Sequence, residues 1–369
     1  MNTYQLIGIA FALLGLITGA GLTWESLRRK SLHLDYLPVS TILIWLTRIS
    51  IGILFIYSGF VKANDYIGFA YKLEEYFTIF GQQWPWTKGF FDLFVPLAEP
   101  MAWFISVFEI ALAIALILGW QMNLTAWLTM LMMVFFTILT GYSHYTGTVT
   151  DCGCFGDALK LAPWESFVKD IILTLMLIPV FLVRRSIHPV PNGRIAGWIT
   201  ALTFVVTGIF SWYCHEHLPM IDFRAYKIGT DLKICTTEPG PEGYPKCKDW
   251  EPYFPEEEIP LFEGNTLLVI MHNATHAPAA ALAQSQALAQ ALTGTDIRMV
   301  GATATGPSVM AGIIQQQGLT YPFCYLDETV LKTIVRSNPG YTLLRNGIVV
   351  GHWHHNDTPD AAELQARLK

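Results

Sequence analysis

Six stretches of about 20 mostly apolar residues dominate this chain, at 5–24, 41–62, 97–119, 122–142, 165–184 and 195–213. That length lets a helix cross a ~30 Å hydrocarbon layer, and lipid leaves a single segment few alternatives to a helix. The composition agrees. Of 369 residues, 52% are hydrophobic and only 14% charged, a combination that reads as an integral membrane protein with a polar appendage. A net charge of −6 with no basic stripe argues against nucleic acid and leaves the lipid bilayer as the expected partner. The first run has no positive charge ahead of it and Arg28, Arg29 and Lys30 behind it, so it reads as an anchor helix rather than a cleaved leader.

The short basic loops set the expected orientation. Arg28, Arg29 and Lys30 follow the first run, and Arg184, Arg185 and Arg194 separate the fifth from the sixth. With six spans both loops fall on one side, which the positive-inside rule makes cytoplasmic. Residues 63–96, the loop at 151–157 and everything after 214 then face outward, with Trp84, Trp86, Trp164 and Trp212 at the outer interface. Segment 63–96 carries Phe69, Tyr71, Tyr76 and Phe80 and reads as an amphipathic stretch lying in that interface.

After residue 224 the character changes. Residues 225–262 are rich in Pro, Glu, Lys and Gly and read as an irregular linker. Cys235 and Cys247 bracket Pro-Gly-Pro-Glu-Gly-Tyr-Pro there, and a disulfide between them would close a short loop worth about 3 kcal/mol. Beyond it strand and helix alternate: strands at 266–271, 297–302 and 321–326, helices at 278–292, 309–317 and 328–336. Strands at 341–345 and 348–353 are joined by Asn346-Gly347, a type I′ hairpin signal, and a last helix follows. The pattern predicts a small α/β domain.

Chemistry concentrates in Asp151-Cys-Gly-Cys-Phe-Gly-Asp157, a polar gap between two spans. A bond between Cys152 and Cys154 closes a small ring, and such strained disulfides are labile. Gly153 permits the backbone turn this needs. Lys62, Lys160 and Lys169 share that side of the membrane and would favour a thiolate if close. Three readings are open: a redox pair, a static turn, or a metal site completed by His144 and Asp151. On the second run Arg48, Gly52, Phe55, Gly59 and Lys62 share one helical face. An intramembrane arginine needs a partner, and depths of about 10 Å for Arg48 and about 15 Å for Glu109 make Glu109 the expected one. Cys214-His-Glu-His217 and His352, His354 and His355 read as polar rims, and Cys324 as a small buried hydrophobe. No metal ligand set is expected.

The run Arg48-Ile-Ser-Ile-Gly-Ile-Leu-Phe-Ile-Tyr-Ser-Gly-Phe-Val-Lys-Ala-Asn-Asp65 resembles the opening helix of DoxX-like membrane proteins, and Glu109 in Phe-Glu-Ile-Ala-Leu fits their next helix. Asp151-Cys-Gly-Cys-Phe-Gly-Asp157 followed by Trp164-Glu-Ser-Phe-Val-Lys-Asp170 resembles the MauE (methylamine-utilisation) branch. The resemblance implies a four-helix bundle over 41–184 that supports disulfides of exported enzymes. It names Cys152 and Cys154 as the site, with Lys62, Asp65, Asp151, Asp157, Lys169 and Asp170 as its supports. By analogy of fold it also resembles quinone-linked disulfide-forming membrane proteins, which makes a quinone the candidate cofactor.

Flanking helices at 1–40 and 185–224 extend that bundle. The tail, 225–369, is similar to thioredoxin-like domains of the TlpA type, with Pro339 at the cis-proline position. Where such domains carry a Cys-x-x-Cys pair, this chain reads His272-Asn-Ala-Thr-His-Ala-Pro278. The expectation is therefore a membrane thiol–disulfide component of the bacterial inner membrane with an outward, non-dithiol tail and periplasmic redox or client partners. The alternative is a non-catalytic scaffold whose tail binds a periplasmic partner.

Overall fold

The computed structural model describes residues 38–147, 149, 153–237, 252–254 and 259–369. The expected anchor helix, Asp151, Cys152 and Cys247 lie outside the described residues. The chain forms two compact units, one ending at Ser211 and one beginning at Trp212.

The first unit is helical: α1 (Pro38–Asn64), α2 (Tyr66–Gln83), α3 (Lys88–Phe94), α4 (Ala98–Leu118), α5 (Met122–Thr146), α6 (Pro163–Val183) and most of α7 (Gly193–Glu216). Five helical stretches are long and apolar enough to cross a membrane: Thr41–Asn64, Pro85–Leu118, Met122–Thr146, Pro163–Ser186 and Gly193–Glu216. They coincide with runs two to six, as the length argument predicts.

α1 and α4 pack closely because two glycines clear the way. A Cβ on Gly59 would come within 3.1 Å of the Ser106 carbonyl oxygen, and one on Gly52 within 2.4 Å of Ile117. Ile51, Phe55, Ala113, Leu116, Met133, Leu173 and Leu177 fill the centre of the bundle. Segment 63–96 is mostly the helix α2. Asp65 caps its N-terminus by accepting a hydrogen bond from the Gly68 amide, and Phe69, Leu73 and Tyr76 bury one face. A second apolar cluster joins that face to Ala98, Ala102, Phe136 and Leu139.

The second unit is a five-stranded sheet in the order β3-β2-β1-β4-β5. Its elements are α8 (Leu232–Thr237), β1 (Asn265–Met271), α9 (Ala279–Ala291), β2 (Ile297–Thr303), α10 (Pro307–Gln317), β3 (Phe323–Tyr325), α11 (Glu328–Ile334), β4 (Gly340–Arg345), β5 (Ile348–His354) and α12 (Ala361–Leu368). β1, β2 and β3 are parallel, and β4 runs antiparallel to β1 and β5. Asn346 (φ 52°) and Gly347 (φ 86°) make the hairpin turn, as their sequence predicts.

Alternating residues of β1 feed two cores. Leu268 and Ile270 pack with α11, whereas Leu267, Val269 and Met271 pack with α9, α10 and α12. Part of the expected linker is also ordered on this sheet. Tyr226, Leu232 and Leu261 are buried in the first of these cores, and Arg224 binds Asp222 and the Ile334 carbonyl. Gly229 and Leu232 hydrogen-bond along β5, and Tyr253 bridges to Tyr325 on β3, so both sheet edges carry partners.

Candidate functional site

The loop Gly153–Ala158 rests on α1 and α2. Gly153 (φ 67°) and Gly156 (φ 48°) adopt left-handed backbone, and a Cβ at Gly153 would sit 3.2 Å from the Lys72 side chain and 3.8 Å from the Phe69 ring. The Ser58 hydroxyl donates to the Cys154 carbonyl at 2.9 Å. Cys154 and Phe155 are buried, packed with Leu159 and Leu161. The Phe155 ring contacts Tyr57 and has the Lys169 ammonium 4.8 Å from its centre.

Beside this loop lies a buried ion pair. Lys62 Nζ stands 2.5 Å from Glu109 Oε2, with side-chain exposures of 1% and 4%. The ammonium also faces the rings of Phe136 (4.6 Å) and Phe69 (5.3 Å). A second carboxylate, Asp170, is buried against the Lys169 ammonium at 2.8 Å and receives the Thr140 hydroxyl at 3.0 Å. Thr140 also hydrogen-bonds the carbonyl of Phe136, so one turn of α5 touches both ion pairs. Tyr76 on α2 and Ser143 on α5 share a buried hydroxyl contact at 2.7 Å. Asp157 and Lys160 lie 3.7 Å apart with the lysine largely exposed, which makes them a weak surface pair.

The expected Arg48–Glu109 pair does not form. Arg48 Nε and Nη2 instead donate to the carbonyls of Leu116 and Ile117, at 2.9 and 2.6 Å, and its guanidinium stacks on Trp45. It caps the C-terminal end of α4, where carbonyls lack helical partners and the helix dipole is negative. In the antiparallel α1–α4 register Arg48 faces Leu116, seven residues and about 10 Å along the helix from Glu109. Lys62 reaches the carboxylate instead. Asp65, expected beside the thiols, caps α2 through its carboxylate.

The resemblance alone did not point to Ser58, Phe69, Lys72 or Thr140. Ser58 precedes Lys62 by four residues and so shares its helical face, the one signal that spacing offered.

In the second unit, His272 and Asn273 follow the end of β1, the latter fixed by Asn338, whose side-chain amide donates to its carbonyl at 2.7 Å. The Asn338–Pro339 bond is cis. Burial lowers the His272 imidazole to about 4 and pushes the Cys324 thiol up to about 12. Of the two groups expected as polar rims, His215, Glu216, His217, His352 and His355 are partly exposed and two members are buried. Cys214 and His354 are both about 5% exposed. Burial, then the neighbouring imidazoles of His355, His215 and His217, hold His354 down at about 3. His217 binds Asp357 at 2.8 Å, and Asn356 donates to the Glu216 carbonyl. His352 is fixed at both ring nitrogens, by Thr342 and the Tyr226 carbonyl. Ser337 lies 2.9 Å from His355 Nδ1 and donates to the Pro339 carbonyl, which makes it a loop staple. Among the described residues no three His, Cys, Asp or Glu side chains are grouped to hold a metal. The Cys235 side chain and its expected partner Cys247 fall outside what is described.

Neither the curated proteins nor the solved structures include a match to this chain. Residues 40–183, the stretch that builds α1 to α6 and carries both ion pairs and the Cys154 loop, match the family model described as methylamine utilisation protein MauE.

Proposed function

We propose that this membrane protein is a thiol–disulfide component in which Cys152 and Cys154 cycle between dithiol and disulfide on the outer face of the bacterial inner membrane. In the oxidising direction two S–H bonds break, one S–S bond forms, two protons leave and two electrons pass to an acceptor, with a quinone as the candidate. Clients would be disulfides of exported proteins. The observation that carries this reading is the setting of Cys154. Its loop is held by Ser58, with the Lys169 ammonium over the Phe155 ring and the Lys62 ammonium one aromatic ring away, each paired with a buried carboxylate. Cations near a thiol favour the reactive thiolate.

The tail is proposed to be thioredoxin-like, on the strength of its sheet order, its β4–β5 hairpin and the cis Asn338–Pro339 bond. It would serve as a periplasmic docking module, because residues 272–278 contain no cysteine and burial pushes the Cys324 thiol up to about 12, which keeps it protonated. That same observation favours the second reading, a non-catalytic scaffold with a static Cys152–Cys154 turn.

Acid-quenched trapping of the two thiols in native membranes, with quinone-depleted cells for comparison, separates the readings. A mixed redox population that shifts on depletion supports the relay. One unchanging state overturns it and leaves the scaffold.

A further inference from the structure

Lys62 and Glu109 call for a reason beyond packing. Taking both charges out of water costs several kcal/mol per ion, and their attraction at best offsets that. The close approach of α1 and α4 is already provided by Gly52 and Gly59. An ion pair is therefore an expensive way to join two helices that fit without it, and intramembrane charges of this kind mark functional sites.

Its position supplies the reason. Ser58, one helical turn before Lys62, holds the Cys154 carbonyl, and Val61 lies against Gly156. The Phe69 ring lies within 5.3 Å of the Lys62 ammonium and packs against Gly153 on the loop. The pair thus sits next to the thiol-bearing loop, across one aromatic ring, in a region of low dielectric where charge acts at longer range than in water.

We propose that the Lys62–Glu109 pair sets the electrostatic potential at the Cys154 thiol, with Lys62 favouring the thiolate and Glu109 moderating it. This rests on the redox reading of the loop. Both are positioning residues that act on the thiol through the field. The other charges facing the loop are Lys72 and Glu75 from α2, Asp157 and Lys160 within the loop region, and Lys169 and Asp170 from α6. The proposal gives Lys62 and Glu109 opposite effects, which a purely structural pair does not.

The test uses the full chain in detergent with Cys152→Ser, so that Cys154 stays reduced. The rate of iodoacetamide alkylation at Cys154 is followed against pH, with the site assigned by peptide mass spectrometry. Lys62→Met should move the half-maximal pH up and Glu109→Gln should move it down, each by about half a unit or more. The double variant should lie above the parent and below Lys62→Met, because the nearer charge, Lys62, dominates. Shifts in the same direction, or none in variants that melt cooperatively, overturn the proposal.

Should a single variant fail to fold, Lys62→Glu with Glu109→Lys keeps a neutral pair while placing the carboxylate nearer the loop. Its midpoint must rise; an unmoved midpoint is equally fatal. Trapping in native membranes separates this inference from its premise. Thiols that cycle while these midpoints stay put sink the inference alone, whereas a static disulfide in native membranes sinks the redox reading on which it rests.

Discussion

Removing one member of the Lys62–Glu109 pair should destabilise the bundle far more than removing both. At 2.5 Å the Coulomb attraction is about 7 kcal/mol for an effective dielectric near 20, and most of that offsets the cost of desolvating two ions. Lys62→Met leaves a carboxylate with under a twentieth of its side chain exposed, and Glu109→Leu leaves an ammonium between two phenyl rings. Each single change should cost about 3–5 kcal/mol. The double variant, which replaces both charges by apolar side chains, should lie within about 1–2 kcal/mol of the parent. The assay is thermal melting in detergent followed by intrinsic tryptophan fluorescence, completed as a double-mutant cycle. Arg48→Met combined with Glu109→Leu is the control pair, and its losses should add, because Arg48 bonds to Leu116 and Ile117 instead. Additive losses for Lys62 and Glu109, or coupling between Arg48 and Glu109, would refute the reasoning.

Arg48→Met by itself should lower stability by about 1.5–3 kcal/mol, the range for hydrogen bonds to a charged donor, with hydrogen exchange rising at the C-terminal turn of α4. Gly153→Val should destabilise the loop by at least about 1 kcal/mol and raise alkylation of Cys154, since a Cβ there meets Lys72 on a left-handed backbone. For His352, burial holds the folded imidazole at about 4 against about 6.5 unfolded. The unfolded chain therefore binds the proton first, so this stabilisation is complete above about 6.5 and drains as pH falls toward about 4, by at most about 3 kcal/mol. Hydrogen exchange of β4–β5 peptides should show that loss, and His352→Gln should flatten it. Finally, residues 212–369 alone should show no insulin-disulfide reductase activity; measurable turnover would contradict a tail without reactive thiols.

Most of the architecture was legible because it rests on local physics. Five apolar runs became five helices, since length and lipid compatibility decide a span residue by residue. In the tail, the continuous apolar run of β1, buried on both faces, and the Asn346-Gly347 turn gave strand and hairpin positions within two residues. The histidines were harder to place. His354 closes a strand in a way that looks like a rim, yet the last turn of α7 and the 355–358 turn enclose it. Nothing in residues 352–355 announces that cover, because it comes from residues 140 positions earlier in the chain.

The sequence by itself determined that the described apolar runs are helices, which face of α1 is shared by Arg48, Gly52, Gly59 and Lys62, and that Glu109 was the carboxylate to expect opposite a cation on that face. Which cation it took was decided only by tertiary structure. Depth counted along separate helices leaves their relative register open by a turn or more, and each turn is about 5.4 Å. The register is set where Gly59 admits Ser106 and Ile110, and Gly52 admits Ala113 and Ile117. That contact slides Arg48 to the carbonyl end of α4 and brings Lys62, beside the Cys154 loop, within reach of Glu109.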